Sequence, residues 1–253
     1  MAELYDIEEN SISKQSKSTQ NLFQLDNSDT ITSTQYSLLK LPSENKYFIA
    51  FAQSSNVFIK IFQFNGPSFN FDGYEETCSK LATSYNGNSK TISLFLLEDV
   101  NILVLFYLKS HIINDVNDDY VQTISNYSMI FYHPNDPELD KINEQEGYSD
   151  IDPIPGDEHF FKGLDLGGNY SAIIYSKGSS EDFQFALNIS KLNYDVDYSP
   201  GYYGFTTTGQ KLLKRDDNIN ANADLILNEF IKINNRKLVL ITTEGKIDSK
   251  PDK

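Results

Sequence analysis

The chain has 253 residues, with 36 Asp or Glu against 21 Lys or Arg. The resulting formal charge of -15 repels phosphate backbones and anionic lipid surfaces, which argues against nucleic-acid and membrane-surface partners. Hydrophobic residues (39%) and aromatic residues (13%) suffice for a core, while a single cysteine, Cys78, excludes an internal disulfide and a Cys-based metal site.

Residues 1–30 are acidic and polar, and predict a segment without fixed structure and without the apolar stretch of a signal peptide. No run further on approaches the ~18 apolar residues that span a bilayer, so no membrane insertion is expected. The chain as written is expected in the cytoplasm, and outside the cell should it be a piece of a longer, secreted protein.

From residue 31 the pattern changes. A segment of alternating or apolar residues runs into a turn and then into a second apolar segment, and this happens four times. The first segments are "YSLLKLPSEN" (36–45), "TISLFLLEDVN" (91–101), "FFKGLDLGGN" (160–169) and "LNEFIKINNR" (227–236). Their turns, Pro-Ser-Glu-Asn, Glu-Asp-Val-Asn, Gly-Gly-Asn and Asn-Asn-Arg, suit hairpin reversal. The second segments are "NKYFIAF" (45–51), "NILVLF" (101–106), "NYSAIIY" (169–175) and "RKLVLIT" (236–242). They lack polar alternation, which predicts strands buried on both faces. Overlaid, they bring Phe48, Leu103, Ala172 and Val239 into register.

A third strand follows in three units, over 56–64, 124–133 and 182–192, with more alternation and a place nearer the edge. "GYEETCSKL" (73–81) and "GFTTTGQKL" (204–212) align without a gap and predict the outermost strand of units one and three. Polar stretches at 110–122, 133–158 and 193–203 read as insertions between strands. They lengthen the repeat beyond the ~40 to 50 residues of a compact four-stranded blade.

An all-β chain of antiparallel four-stranded units in series, each with a doubly buried inner strand, resembles the blades of a β-propeller. The resemblance covers 31–246 as one domain, with units at about 31–85, 88–155, 158–214 and 225–246 and an unstructured tail at 247–253. It carries no Trp-Asp dipeptide, kelch double glycine or Asp-box, and points to no named propeller family. A β-sandwich is the alternative fold. The last unit stops after two strands, which the N-terminal segment or further blades of a longer protein would complete.

"DVNDD" (115–119) offers Asp115, Asn117 and Asp119 at the one, three, five spacing of a calcium loop, making Ca2+ the candidate ion. Tyr120 replaces the sixth-position glycine and Asn126 the twelfth-position glutamate, so a solvated hairpin tip is the plainer reading. The acidic, Pro-bearing stretch 134–158 contains Asp136, Glu138, Asp140 and Glu144, which would meet a protein partner, a basic one on grounds of charge. Tyr202 and Tyr203, in the aromatic stretch 194–205, are the second partner-binding candidates, since tyrosine offers rigid contact area with a polar tip.

His111, His133 and His159 show no zinc or nucleophile spacing. "GLDLGGN" (163–169) lacks the helix and Lys-Ser/Thr of a phosphate loop and reads as a hairpin turn. The Asn-X-Ser sequons at Asn126, Asn169 and Asn188 are no more than an Asn- and Ser-rich chain produces by chance. The expectation is therefore a non-catalytic protein-interaction scaffold without a cofactor. Its competitor is a glycoside or phosphoester hydrolase, which would need two loop carboxylates within ~5 to 10 Å in a concave site.

Overall fold

Turn residues and apolar runs divide the described residues into strands. The computed structural model describes residues 5–8, 11–14, 36–41, 46–53, 56–65, 68–70, 75–78, 91–114, 121–136, 139–151, 160–177, 184–195, 202–213, 223–234 and 236–246. Among them lie β1 (Tyr5–Glu8), β2 (Ser11–Lys14), β3 (Tyr36–Lys40), β4 (Lys46–Gln53), β5 (Asn56–Asn65), β6 (Ser68–Asn70) and β7 (Glu75–Cys78). β8 (Ile92–Leu97), β9 (Ile102–Asn114), β10 (Val121–Tyr132) and β11 (Lys141–Ile151) follow. The chain continues with β12 (Phe161–Gly167), β13 (Tyr170–Lys177), β14 (Gln184–Asp195), β15 (Tyr202–Leu213), β16 (Ala223–Asn234) and β17 (Lys237–Lys246). A 3-10 turn at Glu98–Val100 links β8 to β9, and the described residues contain no α-helix.

All pairings are antiparallel between sequence neighbours, apart from β7, which pairs β5. Sheet one is β3-β4-β5, with both β6 and β7 along β5. Sheet two is β8-β9-β10-β11, sheet three β12-β13-β14-β15 and sheet four β16-β17. The four expected hairpins and the three expected third strands are present, and the two echoing segments supply β7 and β15 as outer strands. Those two segments do not share a register, however. Lys60 of β5 faces Glu75, and the residue of β14 in its place, Asn188, faces Gln210 rather than Thr206.

The insertions are corrected by the structure. Residues 141–151, read from sequence as part of a polar loop, form β11 and pair with β10. This strand is held by its backbone ladder, by amide side chains and by Ile142 packed on the second apolar cluster, and its polar composition looks like that of a loop. Part of each of the other two insertions belongs to a lengthened strand, with β9 reaching Asn114, β14 reaching Asp195 and β15 starting at Tyr202, while 115–120 and 196–201 lie outside the described residues. Within 1–30, read as unstructured, β1 and β2 pair with Ile7 opposite Ile12. β-Branched residues alternating with polar ones favour such pairing even in an acidic segment.

The sheets pack face to face in chain order. Leu103, Leu105 and Tyr107 of β9 join Phe48, Ala50 and Ile59 of sheet one in one apolar cluster. The alternate residues of β9, Ile102, Val104, Phe106 and Leu108, join Phe161, Ile173 and Tyr175 of sheet three in a second. Sheet two is thus covered on both sides, which is why β9 tolerates no polar residue from Ile102 to Leu108. Ala172 and Ile174 cluster with Phe230 of sheet four. A tie between sheets one and two comes from Lys46, buried over the Phe48 ring at 5.5 Å, whose Nζ donates to the Pro134 carbonyl at 2.7 Å.

The first strands of successive sheets touch, β3 with β8, β8 with β12 and β12 with β16. At each contact the same backbone group is involved. Leu94 N–H donates to Ser37 Oγ at 2.8 Å, and Gly163 N–H donates to Ser93 Oγ at 3.1 Å. At the third contact Phe230 N–H donates to Glu229 Oε1 at 2.9 Å, and Lys162 Nζ holds that same oxygen. Ser37, Ser93 and Lys162 each stand two residues before the residue that faces the next sheet, namely Leu39, Phe95 and Leu164.

These contacts align the four hairpins with one another. The cross-strand pairs Leu39 with Phe48, Phe95 with Val104, Leu164 with Ala172 and Ile231 with Val239 are equivalent. Val104, not Leu103, therefore matches Phe48, Ala172 and Val239. A continuous apolar run has no period-two signature, so a slip of one residue leaves no trace in sequence although it exchanges the two faces.

Candidate functional site

The structure brings the two partner-binding candidate regions, 60 residues apart in sequence, to a single edge. On β11, Asn143 and Gln145 lie on one face because strand side chains alternate. Asn143 Nδ2 donates to the Tyr203 carbonyl at 2.6 Å while Tyr203 N–H donates to Asn143 Oδ1 at 2.9 Å. Gln145 Nε2 donates to the Phe205 carbonyl at 3.0 Å, and Phe205 N–H donates to Gln145 Oε1 at 2.7 Å. The two amides imitate a strand and satisfy the outer edge of β15, whose other edge pairs with β14. Neither residue is a candidate from sequence, where the only available signal is the Asn-x-Gln spacing within "KINEQE".

Around this clasp the aromatic rings gather. The Tyr203 ring packs against Tyr194 at 4.9 Å, Phe131 at 6.2 Å and the edge of His133 at 6.5 Å. Tyr194, Tyr202 and His133 are exposed. Burial first, and then Tyr194, pushes the Tyr203 hydroxyl above its ordinary pKa, so it stays a neutral donor. Asp136 caps the turn after His133, its N–H donating to the His133 carbonyl at 3.0 Å and its own carbonyl accepting from Leu139 N–H at 3.3 Å. Asp140 is exposed just ahead of β11. Glu144 sits within the sheet, where Oε1 accepts from Ser128 Oγ at 2.6 Å and Oε2 from Lys141 Nζ at 2.8 Å.

Glu138 and the calcium-spaced Asp115, Asn117 and Asp119 lie outside the described residues. Among the described residues no group of three His, Cys, Asp or Glu is arranged to hold a metal. His159 also falls outside, and His111 lies within β9. The Gly-Gly-Asn turn is a hairpin reversal as expected, with Gly167, Gly168 and Asn169 all at positive φ. The Asn188 sequon is closed in the folded chain, because its buried amide accepts from Gln210 Nε2 at 3.0 Å and donates to the Tyr175 hydroxyl at 3.5 Å.

One group of carboxylates is invisible in sequence because it comes from two separate turns. Asp165 accepts from Gly167 N–H at 3.0 Å and lies 3.8 Å from Lys232 Nζ, within the field of Glu98 and Asp99. Desolvation raises its pKa most, Glu98 and Asp99 add to the rise, and the Gly167 N–H and Lys232 oppose it. A carboxyl raised in the folded state favours folding fully at low pH and loses that advantage as pH climbs above the ordinary 3.8. Asp165→Asn, which keeps the acceptor for Gly167, is thus expected to stabilise the chain at neutral pH. The gain should vanish below the ordinary carboxylate pKa, read as urea midpoints across a pH series.

Comparison with protein families, with curated proteins and with solved structures gave no match. Among the described residues no helix is long and apolar enough to cross a membrane.

Proposed function

We propose that the chain is an arc of a β-propeller acting as a non-catalytic interaction scaffold, and that the β11–β15 edge binds a basic protein segment. The radial reading is supported by the contacts between first strands. Lys162 with Glu229 and Asp165 with Lys232 advance by three residues on both strands, so β12 and β16 run in the same direction across their gap. Equivalent strands of neighbouring blades run alike in a propeller, whereas strands facing each other in a sandwich carry no such repeat equivalence.

The observation that carries the binding reading is Tyr203, which joins the acidic stretch and the tyrosine group through Asn143 and His133. An edge with exposed aromatic rings, in a stretch that also carries the exposed Asp140, offers stacking and cation–π contacts to Arg or Lys together with negative charge. The hydrolase alternative is less well supported, since Glu144 is already engaged by Ser128 and Lys141.

The test is an array of Arg- and Lys-rich peptides probed with the wild-type chain and with a Tyr194→Ala/Tyr202→Ala variant. Both tyrosines are exposed, so the fold should survive. Binding to basic peptides should fall by about 10-fold or more, as for loss of aromatic hot spots. Equal binding by the two proteins would remove this edge as the site.

A further inference from the structure

Each internal junction joins a forward face, which meets the next sheet in the chain, to a backward face, which meets the preceding one. The forward position on the first strand holds Leu39, Phe95 and Leu164, and the backward position opposite holds Leu94, Gly163 and Phe230. At the two ends of the series the same positions are open. Leu38, in the backward position of sheet one, is 55% exposed, and Ile231, in the forward position of sheet four, is 40% exposed. Val239, the counterpart of the fully buried Phe48, Val104 and Ala172, is 39% exposed, and Ile233 and Ile241 stand exposed nearby.

We propose that a second copy of this chain covers these faces head to tail, the forward face of sheet four on one copy closing against the backward face of sheet one on the next. The open ends are opposite halves of a junction that the chain already builds three times, so a second copy brings the fitting half. Side-chain size agrees. The internal pairs are Leu with Leu, Phe with Gly and Leu with Phe, and the new pair, Ile231 with Leu38, is two branched aliphatics like Leu39 with Leu94. An apolar strip of β-branched residues left in water otherwise promotes association without a defined partner. The contact is heterologous, so it generates a ring or an open series rather than a two-fold dimer through one patch. It uses neither the β11–β15 edge nor the propeller reading, only the repeat register.

The experiment is light-scattering molar mass for the wild-type chain, for Leu38→Lys and for Val239→Lys, with circular dichroism to confirm that all three fold alike. The wild type should give a mass above that of the monomer, a fixed whole multiple for a ring or one that rises with concentration for an open series, and each variant the monomer mass. Mixed in equal amounts at raised concentration, the two variants should associate, because Leu38→Lys keeps a sound forward face and Val239→Lys a sound backward one. A monomeric wild type, a variant that keeps the wild-type mass, or a mixture that stays monomeric overturns the proposal. Should either variant fail to fold, Tyr36→Lys and Ile241→Lys probe the same two faces at other exposed positions.

Discussion

Gly163→Ala is expected to lower the unfolding free energy by about 3 kcal/mol, at the upper end of what overpacking costs in a core. Gly163 occupies the position that holds Leu94 and Phe230 in the neighbouring sheets, and it is empty of side chain because Phe95 fills the space from sheet two. A β-carbon at 163 would fall within the envelope of the Phe95 ring. Backbone and ring are both fixed here, since Gly163 N–H donates to Ser93 Oγ and Phe95 is buried next to Phe205 at 6.3 Å. Neither can yield without opening the junction. Phe95→Ala alone should cost about 3 to 5 kcal/mol through its cavity. Combined with Gly163→Ala, the loss should be smaller than the sum by about 3 kcal/mol, the cost of the clash, because the new methyl enters the vacated space. Urea unfolding of the two single variants and the double variant measures this, and strict additivity would refute the packing account.

Asn143→Ala/Gln145→Ala is expected to cost about 2 to 4 kcal/mol, because each amide closes both an N–H and a C=O of the β15 edge and each bond nets about 1 kcal/mol. The loss should be local before it is global. Hydrogen exchange at the Tyr203 and Phe205 amides should accelerate, while amides of β13, deep in sheet three, keep their protection until the whole chain unfolds. An exposed β15 edge is also a template for pairing with another chain, so the double variant should aggregate more readily on heating. Unchanged exchange at Tyr203 and Phe205 would mean that the two amides do not hold the edge.

Much of the sheet architecture is legible in the residues. The turns at 98–101 and 167–169 announce hairpins, and runs such as Ile102 to Phe106 announce a strand with no polar face, as β9 proves to be. The same run conceals its own register, since both of its faces are apolar, and in the structure Val104 rather than Leu103 shares the place of Phe48 in its hairpin. β11 is hidden for the opposite reason. Its stability comes from a ladder and from side-chain amides bonded to a distant backbone, and neither leaves a hydrophobic period. The candidate edge was half visible: Asp136, Asp140, Tyr202 and Tyr203 stand out by composition, yet their meeting depends on Asn143 and His133, whose roles exist only once sheets two and three are packed. The carboxylates around Asp165 are likewise a product of two turns brought together.

The third junction differs from the first two in the chemistry of one atom. Where hydroxyls of Ser37 and Ser93 receive a backbone N–H, a carboxylate does so at Phe230, and its charge is balanced by Lys162 from the preceding sheet. Both charged side chains are partly open to solvent, so dissolved electrolyte weakens this seam and leaves the other two almost untouched. Rising ionic strength is accordingly expected to loosen the β16–β17 hairpin relative to the other sheets, read as a larger rise in hydrogen exchange at the Phe230 amide than at those of Leu94 and Gly163.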